Sequence, residues 1–263
     1  MKNPFDISRM TGPAYEQKLK VAPGVLLPLA SQEILGSHGP LGADMIVSNH
    51  VTPMIAQQTQ CLYAPCIPYG DTLELAGWAG TVHVESRLLE AYCEAVARAF
   101  LERDKAAALV FIAYHSLNLK AVDALCRRLK LEGHTVFAVD WWRAAGQCGR
   151  KWLIDQQSGT GHGAELTTSV LMALEDGLIA QPLPAGEQPL EGLSHALAYQ
   201  FGGGDAFQAY GCFQEYCTTG AWGDLSGATK EKGTLIVRET VAFISKTIQA
   251  FLSRPQNGEQ NDA

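Results

Sequence analysis

Apolar runs alternate with amphipathic helical patterns along this chain. Buried strands are predicted at VLLPLA (25–30), ALVFIA (108–113) and HTVFAVD (134–140), with a shorter strand-like run at 61–67. Helices are predicted at 43–58, 85–103, 119–132, within 161–174 and at 228–252. Apolar strands of this continuity, separated by helices, are typical of βαβ units around a parallel sheet that is covered on both faces. The pattern therefore predicts an α/β fold.

Two local predictions follow from the same pattern. The 85–103 segment is the clearest amphipathic helix, and its spacing places one apolar stripe on it, formed by Leu88, Leu89, Tyr92, Ala95, Val96 and Ala99. The strand at 108–113 is followed by YHSLN (114–118), whose polar residues indicate a loop before the next helix.

Composition supports one large domain. The chain has 263 residues, and 47% of them are hydrophobic, which is enough to build a sizeable core. No internal repeat or linker is evident, so one domain is predicted over residues 1–253. The sequence 254–263 (RPQNGEQNDA) is polar and predicts a disordered tail.

Charge and cysteine content restrict the partners and the compartment. A net charge of -7 and a pI near 5.5 argue against a nucleic-acid or membrane-surface partner. The sequence shows neither a signal-peptide pattern nor an apolar run long enough to span a membrane, so a cytoplasmic location is predicted. The seven cysteines lie mostly in apolar runs without metal-site spacing, which favours buried thiols over disulfides.

Candidate chemistry lies just after the predicted strands, where ligands gather in parallel α/β sheets. The polar and aromatic residues at these positions are Ser31, Glu33, His38, Asp44, His115, Asn118, Asp140, Trp141, Trp142, His162 and Glu165. Carboxylates and histidines that arrive from separate strand ends are typical of a divalent-metal site.

The order of several short segments resembles the creatininase family of metal-dependent amidohydrolases. SQEILGSHGPLGAD (31–44) is similar, without a gap, to the family signature SxEQHGPHLPxxTD. IPYGDTLEL, GWAGTVHV, YHSLN, HGAELTTS and TGAWGDLSGATKEKG resemble, in order, the family's YGxSxEH, FPGT, GHGGN, HAGExETS and GDPxxATxEKG segments. The resemblance spans roughly 23–250 and implies a single-domain, three-layer α/β/α fold with a mostly parallel sheet.

The resemblance also implies a metal site and an assembly. Family members hydrolyse amide bonds of small molecules, usually as homohexamers, and their metal-ligand positions correspond here to Glu33, Leu35, Asp44, His115 and Glu165. Because leucine cannot bind a metal, one ligand of the usual two-metal arrangement is lost. The resemblance then implies a mononuclear or altered site with Zn²⁺, Mn²⁺ or Fe²⁺, held by Glu33, Asp44 and His115 with help from Glu165.

Other family positions suggest further roles. His162 corresponds to the histidine that moves a proton to the leaving nitrogen, although a histidine that caps the following helix is an alternative. His38 corresponds to a loop histidine that lines the pocket, and a substitute metal ligand is the alternative. Trp141, Trp142 and Asn118 are candidate substrate-binding residues, with core or subunit packing as the alternative for the tryptophans. The segment 201–217 suggests a loop over the pocket or a subunit contact.

Two functions stay open at this stage. The first is a metal-dependent hydrolase of an amide, cyclic amide or formamide bond, with Glu165 and His162 as catalytic residues. The second is a divergent member that has lost hydrolysis and serves as a binding or assembly subunit, or catalyses another reaction. Family polar positions have become Leu75, Leu117 and Thr167, which favours the second function, whereas the surviving ligand set favours the first. A serine or cysteine hydrolase is not indicated, because no GxSxG motif is present.

Overall fold

The computed structural model describes residues 3–156, 158–187, 213–215 and 217–254. Its strands are β1 (Val25–Leu29), β2 (Leu62–Tyr63), β3 (Leu109–Ala113) and β4 (Val136–Asp140). Its α-helices are α1 (Gly12–Leu19), α2 (Ala43–Thr59), α3 (Ser86–Arg98), α4 (Ser116–Leu131), α5 (Trp141–Gly149), α6 (Glu165–Leu174) and α7 (Lys230–Leu252). The predicted tail lies outside the described residues from 255 onward, as does most of 201–217.

The four strands form one parallel sheet in the order β2-β1-β3-β4. In the central pair, Leu27 is opposite Phe111 and Leu29 is opposite Ala113. In the outer pair, Ala113 is opposite Asp140. Every residue of β1 and β3 is buried, because helices cover both faces of the sheet. The predicted α/β fold with a parallel sheet is confirmed.

Successive strand residues point into two different hydrophobic cores. Leu26 and Val110 pack with helices α2, α5, α6 and α7 on one face. Leu27 and Phe111 pack with helices α3 and α4 on the other face. The resulting layers are helices, sheet and helices. All strands are parallel, so their carboxyl ends, and the residues that follow them, come to the same edge of the sheet.

The edge strand β2 is shorter than the predicted run at 61–67. It pairs with β1 only over Leu62–Tyr63, and a separate bridge joins Leu29 to Ile67. Pro65 lies between the two pairings, and proline has no N–H to donate to a neighbouring strand.

The structure differs from the prediction at two places, the apolar stripe on α3 and the expected loop at 114–118. Leu89 is buried together with Cys93 and Ala97, at a spacing of four residues, whereas Leu88 and Tyr92 are more than half exposed. The expected YHSLN loop is the beginning of α4, with His115 as the N-cap residue. Serine and asparagine are weak helix formers, so the sequence pattern hides this early helix start.

The described cysteines are free thiols, of which Cys61, Cys93 and Cys217 are buried as predicted and the other three are half-buried. Cys212 lies outside the described residues. In the part of the chain that the structure describes, no helix is long and apolar enough to cross a membrane.

The packing of helices on both faces of the sheet leads to a stability prediction at Leu27, which is 1% exposed in strand β1. We expect Leu27→Ala to lower the free energy of unfolding by about 2–5 kcal/mol, because it leaves a cavity between the sheet and helices α3 and α4. The matched control is Leu131→Ala, at a position that is 89% exposed at the end of α4. Urea unfolding monitored by circular dichroism should show a change within about 0.5 kcal/mol for the control. Equal losses in both variants would contradict this assignment of the core.

Candidate active site

Glu33 lies in the segment that follows β1, and neighbouring segments hold its backbone. The Glu33 N–H donates to the carbonyl of Leu41 at 2.9 Å. The carbonyl of Gln32 accepts from the Val82 N–H at 2.9 Å, and the Ile34 N–H donates to Thr81 Oγ1 at 3.0 Å. These bonds fix the direction of the Glu33 side chain, which is 5% exposed.

Asp44 lies in the first turn of α2, where a negative charge is stabilised by the free N–H groups of the helix. Its Oδ2 accepts from Ser31 Oγ at 2.8 Å. Its Oδ1 accepts from the indole N–H of Trp142 at 2.9 Å. Both carboxylate oxygens therefore have a protein donor, and the side chain has a fixed orientation.

His115 follows β3 and faces the two carboxylates. Its Nε2 lies 2.7 Å from the backbone carbonyl of Asp71, which can only accept, so Nε2 carries the proton. Its Nδ1 lies 3.0 Å from Glu33 Oε2 and 3.5 Å from Asp44 Oδ2. A histidine held by a carbonyl at one ring nitrogen presents the other nitrogen as a metal ligand.

Asn118 holds the loop that orients His115. Its side-chain N–H donates to the carbonyl of Ala30 at 2.9 Å, and its Oδ1 accepts from the Asp71 N–H at 3.0 Å. Asn118 is completely buried and does not line the cavity. The amide joins the end of β1 to the Asp71 loop, which gives Asn118 a structural position in place of the predicted substrate contact.

The electrostatics of the group favour a positive charge between the carboxylates. Burial raises the pKa of Asp44, and repulsion from Glu33 raises it further. Burial alone would lower the pKa of His115, but the charges of Glu33 and Asp44 outweigh it and raise that pKa well above its usual value. The buried pair of carboxylates is thus unfavourable unless a proton on His115 or a cation balances it.

The residues present fit a divalent cation. Glu33, Asp44 and His115 each offer a ligand atom, and these atoms lie within 4.8 Å of one another. Glu33 Oε2 is buried and makes no hydrogen bond of acceptable geometry with the described residues. Such a buried oxygen needs a partner, and either a proton on His115 Nδ1, which lies 3.0 Å away, or a metal ion would supply it. Two carboxylates and one imidazole suit Zn²⁺, Mn²⁺ or Fe²⁺.

Glu165 does not join this group, contrary to the prediction. Its Oε1 lies 2.5 Å from Lys232 Nζ, and both of its oxygens accept from the Ile154 N–H. Thr167 lines the cavity instead. Residues two apart on a helix point in nearly opposite directions, so Glu165, on the side of α6 away from Thr167, meets Lys232.

His38 neither joins the metal group nor lines the cavity. It is 3% exposed, and its Nε2 lies 3.1 Å from the carbonyl of Gly163 and 3.0 Å from Thr168 Oγ1. Burial lowers the pKa of His38, which favours the neutral imidazole. The ring joins the 31–42 segment to the start of α6, away from the positions that a pocket role or the alternative role as a metal ligand would require.

The two tryptophans at the end of β4 have different positions. Trp141 is completely buried in the core, where its ring centroid lies 5.8 Å from that of Tyr114, which is the alternative of core packing. Trp142 lines the cavity, and its indole donates to Asp44. Both tryptophans start α5, a helix that the sequence pattern did not indicate.

His162 lines the cavity, and its role as a proton shuttle stays a prediction. Its Nε2 lies 2.8 Å from the carbonyl of Ile34, so Nε2 is the donor and Nδ1 is the basic nitrogen. The alternative role as a helix cap is not seen, because Ala164 is the N-cap residue of α6. Phe213, one of the few described residues of the 201–217 segment, packs edge-on against the ring of His162 at 5.2 Å.

These groups border one cavity of about 1050 Å³. Glu33, Asp44 and His115 share its lining with Leu35, Leu75 and Leu117, which are less than a tenth exposed. The rest of the lining is more polar and comes from Thr72, Glu74, Ser116, Trp142, Arg143, Gly146, Gln147, Arg150, Gln156, Thr160, Gly161, His162, Thr167 and Trp222. The volume suits a small molecule or a short peptide segment.

Sequence reasoning missed several residues that shape the site. Asp71 acts through its backbone carbonyl, for which no side-chain pattern exists. Lys232 lies far along the chain from Glu165, and only the tertiary structure pairs them. Arg143 and Arg150 have helical spacing in the sequence, but that signal was lost because α5 was not predicted.

A second group of possible metal ligands lies on the surface and needs no ion. Glu102, Glu132 and His134 come close together. Arg98 already pairs with Glu102 and Glu132, at 2.5 and 2.8 Å. A guanidinium therefore balances these carboxylates.

A sequence profile of the creatininase family, described as creatinine amidohydrolase, matches residues 8–248. The mycofactocin precursor peptide peptidase of Mycobacterium ulcerans (strain Agy99) is 31% identical over 171 residues, which is 60% of this chain and 60% of that protein. The chain thus matches about three fifths of the length of this curated relative.

Solved structures share the fold. A putative creatinine amidohydrolase from Bacteroides fragilis NCTC 9343 is 17% identical and has a TM-score of 0.79, covering 97% of this chain and 98% of that chain. A structure named creatininase Mn is 20% identical and has a TM-score of 0.73, covering 95% of this chain and 99% of that chain. At these identities the likeness shows the three-layer fold.

The pairing of Glu165 with Lys232 separates a structural role from metal binding. We expect Glu165→Gln to lower the free energy of unfolding by about 1–3 kcal/mol, because a buried ion pair loses one charge. We expect the folded variant to keep its metal content, whereas Glu33→Gln should lose it. Urea unfolding and elemental analysis would measure the two properties separately. Loss of metal from the folded Glu165→Gln variant would show that Glu165 is a metal ligand.

Proposed function

Because the chain belongs to the creatininase family, we propose that it is a metal-dependent hydrolase of a C–N bond in a small molecule, and that it works with one metal ion. The bond would be that of an amide, a cyclic amide or a formamide. The observation that carries the proposal is the convergence of Glu33, Asp44 and His115, from three separate segments, on one side of a cavity.

The proposal of a single metal ion is supported by the surroundings of this group. A second ion would need further ligands nearby, but the cavity there is lined by the buried side chains of Leu35 and Leu117. Glu165, the remaining candidate carboxylate, is neutralised by Lys232. The family likeness to a manganese creatininase and the mixed O and N ligand set are compatible with Mn²⁺, Zn²⁺ or Fe²⁺.

A bound cation would lower the pKa of water and polarise the carbonyl of the scissile bond. The chain itself supplies orientation and proton transfer. Ser31 and Trp142 hold Asp44, and the Asp71 carbonyl holds His115, so the ligands are fixed before substrate arrives. His162 would pass a proton to the leaving nitrogen through Nδ1, because its Nε2 is committed to the Ile34 carbonyl.

A second candidate function is a binding or assembly subunit that has lost hydrolysis. The apolar positions Leu35, Leu75 and Leu117 in the cavity favour it, because they remove polar contacts from the region beside the metal group. A homohexamer and a cytoplasmic location stay predictions from the resemblance and from the sequence.

Metal content tests the proposal first. Protein purified without chelator is expected to hold about one equivalent of metal per chain, and Glu33→Ala and His115→Ala are each expected to lose it. Elemental analysis of folded protein, with circular dichroism as the check of folding, would measure this. Two equivalents would contradict the mononuclear site. No metal, even after incubation with Zn²⁺, Mn²⁺ or Fe²⁺, would reject the hydrolase and favour the binding subunit.

The role of His162 is tested by kinetics on the formamide, cyclic amide or short peptide that the protein hydrolyses. We expect His162→Asn to lower kcat by about 10²–10⁴-fold, because general acid catalysis is lost. Metal content should be unchanged, since His162 is not a ligand. The control is His50→Asn, which removes a half-exposed histidine paired with Glu175 at the surface. A normal kcat in His162→Asn would exclude proton transfer by this residue.

A further inference from the structure

Helix α5 and the residue after it contribute a continuous stripe to the cavity. Arg143, Gly146, Gln147 and Arg150 line it, at successive spacings of three, one and three residues. Residues with these spacings lie on one face of a helix. The stripe begins directly after Trp142, whose indole donates to Asp44. One wall of the cavity therefore starts at the proposed metal group and carries two guanidinium groups.

The charges on this wall are only partly balanced. Arg143 Nε lies 3.3 Å from Asp140 Oδ2, and its side chain is 49% exposed. Among the residues that the structure describes, no carboxylate forms an ion pair with Arg150, which is exposed. Arginine offers several N–H donors in a planar fork that matches the two oxygens of a carboxylate. Arg150 thus presents an unused oxyanion-binding group to the cavity.

The wall also has room for a ligand between the two arginines. Gly146 lies between them, and a Cβ atom built there would meet nothing within 4 Å. Gln147 adds a neutral amide that can donate another hydrogen bond. Space, one neutral donor and two cationic groups on a single helix face are the features of a subsite for a small anion.

The position of Arg150 separates this subsite from the metal group. Arg150 comes eight positions after Trp142, which corresponds to about 12 Å along a helix axis. The other charged groups of the cavity are Glu33, Asp44, His115, His162 and Glu74. An anion held at Arg150 would avoid the carboxylates of Glu33 and Asp44, while another part of the same molecule reaches them.

We propose that Arg150, assisted by Gln147 and Arg143, binds an oxyanion of the substrate, and that the substrate is an N-acylated amino acid or short peptide with a free carboxylate. This inference rests on the proposed function, because it names the substrate class of the same cavity. Arg150 is a specificity-determining residue, whereas the metal group acts on the scissile amide at the other end of the molecule. Carboxylate and phosphoryl groups share this chemistry, and the test distinguishes them.

The experiment is calorimetric titration of the full chain, loaded with Mn²⁺, with three matched probes. These are N-benzoylglycine, its neutral amide N-benzoylglycinamide, and N-benzoylaminomethylphosphonate. We expect N-benzoylglycine to bind roughly tenfold tighter than the neutral amide, because a charge-assisted hydrogen bond forms. Tightest binding of the phosphonate would support the oxyanion subsite but assign it to a phosphorylated substrate. Equal affinities, or no binding of any probe, would overturn the proposal.

Variants test whether the preference for N-benzoylglycine depends on the arginines of the α5 stripe. Arg150→Gln should abolish the preference for N-benzoylglycine, and Arg150→Lys should keep part of it, since lysine retains the charge without the fork. Arg127→Gln is the matched control, because it removes an exposed charge on α4 that pairs with Asp123 outside the cavity. If the preference for N-benzoylglycine survives both in Arg150→Gln and in the double variant Arg143→Gln/Arg150→Gln, the assignment of the subsite to this stripe is overturned.

Metal-free protein separates this inference from the proposed function. A carboxylate preference that depends on Arg150 and persists without Mn²⁺ supports the subsite, even where no hydrolysis is found. If the preference disappears without Mn²⁺ and is unchanged in Arg150→Gln, the carboxylate of the probe binds the metal. That result overturns the subsite and leaves the proposed metal centre standing.

Discussion

The close approach of two buried carboxylates, Glu33 and Asp44, is the constraint on which the site depends. Each is 5% exposed, and both come within reach of His115. Like charges in a buried setting repel each other strongly, and water cannot screen them. The fold tolerates this arrangement only because positive charge is available, either as a proton on His115 or as a bound cation. The folded chain therefore favours binding of a cation between these carboxylates.

The parallel sheet brings these groups together and the surrounding loops aim them. Strands β1 and β3 are neighbours, so the segments after them begin side by side and deliver Glu33 and His115. Asp44 arrives on the first turn of α2, and β4 leads directly into Trp142, which holds it. Ligand orientation depends on neutral donors and acceptors, namely Ser31, Trp142 and the Asp71 carbonyl. Ser31 and Trp142 orient Asp44, and the Asp71 carbonyl fixes the tautomer of His115, all without adding charge.

The region beside the metal group has a different character from the wall formed by α5. Leu35 and Leu117, each two residues along the chain from a metal-ligand candidate, add apolar surface to the cavity, and Lys232 neutralises Glu165 within the protein. Arg143 and Arg150 make the α5 wall cationic and open. On the proposed function, this chain keeps one metal site without the ligands of a second, and on the further inference it takes its specificity from the neighbouring helix α5. Such division of roles follows from the general rule that function depends on sites carried by a fold.

The sequence by itself determined the fold class and the first three metal-ligand candidates. Continuous apolar runs separated by helices specify a parallel sheet, because only strands buried on both faces are apolar throughout. Glu33, Asp44 and His115 follow from strand ends and from family motifs, both of which are local patterns. The tertiary structure alone decided the roles of Glu165, His38 and Asn118, since hydrogen bonds and ion pairs with residues distant in sequence fix these side chains. The early start of α4, the existence of α5 and the arginine stripe also needed the folded chain, because packing overrides weak helix propensity and determines which helix face meets the cavity.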